Sequence, residues 1–129
     1  LPIKEVLPGM IKRKFGRIVC ISSVAGLGIR PNMITYGTSK AAVIALVRNL
    51  SSAVAPYIRI NSVAPGLIKT DMAKLFDKKI KKNIIKDTPL KRLGTPQDIA
   101  NTVFYLLSEQ SRFTTGQTLV TDGGKITLP

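Results

Sequence analysis

The chain has 129 residues, 44% hydrophobic and 21% charged, which fits a single globular domain and excludes a chain too polar to fold. Its 20 Lys and Arg against 7 Asp and Glu give a formal charge of +13, so its surface suits anionic partners. No uncharged apolar run approaches the ~18–20 residues of a membrane span, and with no histidine and the single cysteine Cys20 the chain can form neither an internal disulfide nor an ordinary zinc site.

The chain opens Leu-Pro-Ile-Lys, with no signal peptide and no initiating Met, and reads as a piece of a longer sequence. Residues 3–14 read as the end of a helix: Ile3, Val6, Leu7, Met10 and Ile11 recur at three and four, basic residues come last, and Pro8 marks a kink or an early turn. Phe15-Gly16 stops it. Residues 17–22 form a short β-branched run, a buried strand that carries Cys20 as an inert thiol in keeping with a reducing, cytoplasmic setting. Residues 23–33, with Gly26, Gly28 and Pro31, form a loop. A second helix is expected over 35–55, ended by Pro56, and a second strand over 58–63, closed by Ala64-Pro65-Gly66.

Residues 71–86 predict an amphipathic helix, with Met72, Leu75, Phe76, Ile80, Ile84 and Ile85 in one stripe and lysines elsewhere. The lysines cluster at 78, 79, 81, 82 and 86 with no aromatic residue among them. Bases would find nothing to stack on, so nucleic acid is the weakest partner and an acidic partner or substrate the better one. Thr95 is the N-cap of a helix over 96–108 with Asp98 in its first turn, and residues 118–121 are a last strand before Asp122-Gly123-Gly124. The order helix, strand, helix, strand, helix, helix, strand implies an α/β fold with a parallel sheet between helices. Such sheets bind ligands beyond the carboxyl ends of their strands. Ser23 follows the first strand and Gly66 the second, so both fall on that edge.

Chemistry concentrates there. Ser23 lies thirteen positions before Tyr36, and Tyr36 four before Lys40, one helical turn away on the same face. A phenol ordinarily titrates near ~10, too high for a base at neutral pH. A neighbouring ammonium and a helix N-terminus both favour the phenolate. A tyrosine tuned in this way can protonate a carbonyl oxygen or take a proton from an alcohol. The Ser23 hydroxyl can hold the same oxygen, and Lys40 can reach a hydroxyl-bearing cofactor.

These motifs resemble the C-terminal half of a short-chain dehydrogenase/reductase. Gly-Arg-Ile-Val-Cys-Ile-Ser-Ser-Val-Ala-Gly is similar to the family's catalytic-serine strand, and Tyr36-Gly-Thr-Ser-Lys40 to its Tyr-x-x-x-Lys. Arg59-Ile-Asn-Ser-Val-Ala-Pro-Gly66 and Thr70-Asp71-Met72 resemble its Pro-Gly segment. The segments 89–100 and 115–124 resemble its closing helix and strand, and the branch most resembled is the 3-oxoacyl-[acyl-carrier-protein] reductases. The resemblance implies the C-terminal portion of a Rossmann-type doubly wound sheet, one partial domain over 1–129, without the N-terminal cofactor-binding half. It implies catalysis by Ser23, Tyr36 and Lys40 and reduction of a carbonyl, a 3-oxoacyl thioester first, in the full-length parent. It implies an NAD(P) cofactor, NADP ahead of NAD, bound through Tyr36, Lys40, Pro65, Gly66, Ile68 and Thr70. No metal, membrane or nucleic acid enters. The partner is a small or acyl-carrier-protein-linked carbonyl substrate. The complete protein would pair as a homodimer or homotetramer through the helix of Tyr36 and the last strand. The stripe over 72–85 would be either a mobile substrate lid or a plain packed helix.

Departures accompany the resemblance. No glycine-rich phosphate loop occurs, nor a residue to select NAD or NADP, and the family's supporting Asn would precede Leu1. Ala55-Pro-Tyr-Ile-Arg lacks the usual glycine, which shortens the turn into the strand. The 129-residue chain alone is expected to be inactive. Two alternatives stand: a catalytically silent fragment or scaffold that keeps the family packing, and an oxidoreductase for a sugar, steroid or small alcohol.

Overall fold

The β-branched runs of the sequence become the centre of the fold. In a computed structural model, which describes residues 2–126, strands β1 (Gly16–Ile21), β2 (Ile58–Pro65) and β3 (Thr118–Thr121) form one parallel sheet in that order. Gly16 to Ile21 pair with Ile58 to Val63, and Ser62 to Pro65 with Thr118 to Thr121. β2 is therefore central, and its buried residues Ile58, Ile60, Asn61, Ser62, Val63 and Ala64 have little or no solvent contact.

Alternation along the strands sends side chains to two faces. On one face Ile18, Cys20, Ile58 and Ile60 pack with Val47, Leu50 and Val54 of helix α2 (Ile34–Val54) and with Ile3, Leu7 and Met10 of helix α1 (Pro2–Lys12). Full burial of Val47, Ile58 and Ile60 there contributes about 1.5–3 kcal/mol each. On the other face Arg59 reaches helix α5 (Pro96–Leu107) and the segment after it. Its Nη1 donates to Leu106 O, Ser111 Oγ and Thr114 O, and its Nη2 to Ser108 O. Burial, then the nearby Arg17 charge, holds the Arg59 pKa below the usual arginine value. Helices thus cover both faces, as the alternation of elements implies.

Three expectations change. α1 runs through Pro8 without stopping, and Val6 and Ile11 point to solvent, so only Ile3, Leu7 and Met10 of its stripe reach the core. Cys20 is half-buried, not buried, although burial still pushes its thiol pKa up, which keeps it protonated. The single helix expected over 71–86 is two: α3 (Asp71–Lys74) and α4 (Lys78–Asp87). The Asp77 carboxylate accepts from Ile80 N at 2.7 Å and starts α4 afresh, a capping signal that the continuous apolar period conceals. Their apolar stripe is not packed along its length, since Met72, Leu75 and Ile80 are exposed while Phe76, Ile84 and Ile85 are half-buried.

α5 begins as its sequence dictates. Thr95 Oγ1 accepts from Asp98 N, the Asp98 carboxylate accepts from Thr95 N, and Pro96 occupies the first turn. Arg92 clamps the same carboxylate with both guanidinium nitrogens, at 2.7 and 3.1 Å.

Candidate active site

The carboxyl edge of the sheet collects the candidate residues. β1 ends at Ile21, and Ser22 still reaches across to β2 by donating its N–H to Val63 O. The buried Ser22 hydroxyl donates to Lys40 O at 3.1 Å, and Lys40 Nζ donates back to Ile21 O at 3.1 Å. Two reciprocal bonds thus lock α2 to the end of β1 at the level of Lys40. The sequence places Ser22 at the end of the first strand; its role as a tether has no local signature.

Ser23 is buried and extended, and it caps a 3-10 turn (Val24–Gly26) by accepting from Ala25 N at 3.1 Å. That bond uses an acceptor lone pair and leaves the hydroxyl proton free. Tyr36 is half-buried in the first turn of α2, and its hydroxyl has no hydrogen-bond partner among the described residues. Lys40 Nζ sits 5.7 Å from the centre of the Tyr36 ring, a cation–π contact that joins the two residues on one helical face.

The turn at Ser23 approaches α2 closely because glycine stands at the contact. A Cβ on Gly26 would lie 2.7 Å from Ala41 N and from Lys40 C, and one on Gly37 would lie 3.0 Å from Ala25 O. Gly37 follows Tyr36 within the motif, and nothing in the sequence marks it as a packing residue.

Beyond β2, Gly66 lies against Asp122: its N–H donates to Thr121 O, and a Cβ there would be 2.7 Å from the Asp122 Cβ. Lys69 N and Gly94 N then pair the loop with Gly94 O and Leu67 O. Half-buried Ile68 keeps a backbone N–H with no acceptor among the described residues. Thr70 Oγ1 turns back to Ile68 O at 3.4 Å. A cleft of about 220 Å³ opens between Leu67, Ile68 and the start of α5 at Asp98 and Asn101. A second hollow of about 230 Å³, lined by Gly28, Arg30, Met33, Ile34 and Thr38, does not include Ser23, Tyr36 or Lys40.

A parallel sheet between helices, with its polar site at the carboxyl edge, defines a Rossmann-type α/β protein. The chain belongs to the short-chain dehydrogenase/reductase family: the family model described as enoyl-(acyl carrier protein) reductase matches residues 1–125. The 3-oxoacyl-[acyl-carrier-protein] reductase of Rickettsia felis is 39% identical over 124 residues, 95% of this chain and 52% of that protein. A solved 7α-hydroxysteroid dehydrogenase, complexed with NADH and 7-oxoglycochenodeoxycholic acid, superposes with a TM-score of 0.92 at 40% identity, over 95% of this chain and 49% of that one. A gluconate 5-dehydrogenase of Burkholderia cenocepacia, in complex with NADP and tartrate, superposes with a TM-score of 0.90 at 33% identity, over 95% and 49% of the two chains. The chain spans about half the length of the curated relatives it matches.

Proposed function

We propose that the protein carrying this chain reduces a carbonyl to an alcohol with a nicotinamide cofactor, a 3-oxoacyl thioester being the substrate class. One observation carries the reading: Lys40 is bonded to the end of β1 while its ammonium lies over the Tyr36 ring, and Ser23 leaves that same strand end with its proton unused.

The residues present fit one end of a dinucleotide. The Ile68 N–H without an acceptor, in a loop held at its base by Gly66 against Asp122, is a donor for a carboxamide. Pro65, Gly66, Ile68 and Thr70 would hold the nicotinamide end. Lys40, which uses one of three ammonium protons on Ile21 O, keeps two for ribose hydroxyls. No glycine-rich turn offers itself to the pyrophosphate among the described residues, so the rest of the cofactor, NADP ahead of NAD, would be held by other parts of the whole protein. When bound, a nicotinamide supplies the hydride. Ser23 donates a hydrogen bond to the carbonyl oxygen and stabilises its growing charge. Tyr36 gives that oxygen its proton, and Lys40, over the ring, holds the phenol in position. The names of the relatives support the thioester first, with steroid and sugar substrates as the second reading. A cytoplasmic homodimer or homotetramer belongs to the same proposal.

Tyr36→Phe tests it in the full-length protein. The ring still fills its place but carries no proton, so turnover of a 3-oxoacyl thioester should fall by about 100-fold or more, within the usual range for a lost general acid. Unfolding midpoints should stay within error. A variant that turns over within a few-fold of the parent refutes the role of Tyr36.

A further inference from the structure

We propose that the outer face of α4 is a docking surface for an acidic protein, the carrier that presents the acyl substrate. The identity of that partner rests on the carbonyl-reductase reading; the surface does not.

Lys78, Lys82 and Lys86 stand at four-residue intervals on one side of α4, and Lys79 lies beside them. At ~1.5 Å per residue the stripe runs about 12 Å. All four are exposed. The ion pairs of the described residues are Arg17–Glu109, Lys74–Asp71 and Arg92–Asp98, so none of the four is neutralised within the fold. Like charges four apart oppose helix formation. The carboxylate nearest their N-terminal end, Asp77, is committed to capping Ile80 N. Lys91 adds a further charge next to them, its Nζ donating to Lys86 O. Asp87, the last residue of α4, is exposed and makes no ion pair with them among the described residues, so the helix carries a positive stripe that an external anion would relieve.

The form of that stripe selects the anion. Ile84 and Ile85 are half-buried, and the exposed Ile80 falls on the side of the helix opposite Lys78, Lys82 and Lys86, so the lysine face itself offers little apolar surface to insert into a bilayer. It carries no aromatic or arginine to stack on bases. An acidic helix with Asp or Glu at four-residue spacing repeats at the same ~6 Å interval, and can meet the lysines in register.

Position supports the assignment. The arm of α3 and α4 leaves the sheet at Thr70, just after the loop that carries Pro65 and Gly66. It returns at Thr88, which is buried, and at Leu90, whose N–H donates to Gly123 O beyond β3. Both anchors lie at the carboxyl edge of the sheet, so a protein docked on α4 stands beside the end where its cargo would react.

The experiment measures binding without chemistry. Acyl carrier protein bearing no acyl group is titrated against the full-length protein and against K78Q/K79Q/K82Q/K86Q. The dissociation constant should rise by about tenfold or more in the variant, and the parent's own affinity should fall between about 50 and about 300 mM salt. The matching four-fold Lys→Arg variant keeps the charge and should bind like the parent, which separates a docking defect from a folding defect. Equal affinity of parent and Gln variant at every salt overturns the proposal. So does tighter lysine-dependent binding to anionic phospholipid vesicles or duplex DNA than to the carrier. Because no acyl group is present, loss of reductase activity and loss of docking are read separately.

Discussion

Replacing Gly26 by Ala sets two effects of opposite sign against each other. Gly26 ends a 3-10 turn with helical backbone angles, so an added methyl restricts the unfolded chain and by itself should stabilise by about 0.4–1 kcal/mol. In the folded state that methyl would stand 2.7 Å from Ala41 N and Lys40 C, about 0.7 Å inside ordinary contact. Both are backbone atoms of α2 and no rotamer change can move them aside, so the helix must shift, at about 1–3 kcal/mol for overpacking. The steric term wins, and a net loss of about 1–2 kcal/mol is expected in urea unfolding. The shift also moves Lys40 away from Ile21 O, so cofactor affinity should fall in the same variant. Gly9→Ala is the control: Gly9 lies inside α1 with only the Arg13 side chain near its absent Cβ, at 3.5 Å, and should gain about 0.5–1 kcal/mol. A Gly26→Ala protein as stable as the Gly9→Ala protein, with unchanged cofactor affinity, refutes the close-packing argument.

Lys40→Met nearly keeps the length of the side chain but removes the ammonium, and with it the bond to Ile21 O and the contact over the Tyr36 ring, so the dissociation constant for NADPH should rise and kcat should fall; equal values for parent and variant dismiss Lys40 from the site. Thr95→Ala breaks the cap of α5 and should lower stability by about 0.5–2 kcal/mol, read as a shifted urea midpoint at constant slope. The Arg92 guanidinium first, and then the Thr95 N–H and hydroxyl, hold the Asp98 carboxyl well below the usual carboxylate range. Its folded pKa is depressed, so its contribution is complete above the ordinary carboxylate value and fades as pH falls below that value toward the folded one. Asp98→Asn should therefore flatten the acid side of a stability-against-pH curve, and an unchanged acid limb counts against the clamp.

What the sequence discloses and what it hides divide along physical lines. The strands are legible because β-branched runs bounded by Gly and Pro have few other uses, and β3 appears at 118–121 as expected. The Thr95 capping box is legible for the same reason: its residues are neighbours in the chain. The Tyr36–Lys40 pair is legible because one helical turn brings it together. The Ser22 tether to Lys40 O and the contact at Gly37 are not, because both depend on which helix crosses which turn. The break at Asp77 is hidden differently. The apolar period of 72–85 runs through it unaltered, while a local carboxylate decides where the helix restarts. Pro8 is the reverse case, a helix breaker overruled because Ile3, Leu7 and Met10 are held on the sheet. The resemblance to the family rests on local strings, which are legible without any geometry.

The clamp at Arg59 and the pairing of β2 with β3 have a temporal consequence. Ser62 meets Thr118, and Arg59 meets Ser111 and Thr114, across 56, 52 and 55 residues of chain. The unit from β1 through α2 to β2 lies wholly ahead of these partners in the chain and can assemble while the rest of the polypeptide is still being synthesised. Until residues 118–121 emerge, the second edge of β2 is unpaired and the Arg59 guanidinium lacks its C-terminal acceptors. The nascent chain thus passes through a stage with a naked strand edge at the centre of its future sheet, the point at which a chaperone would act or aggregation would begin.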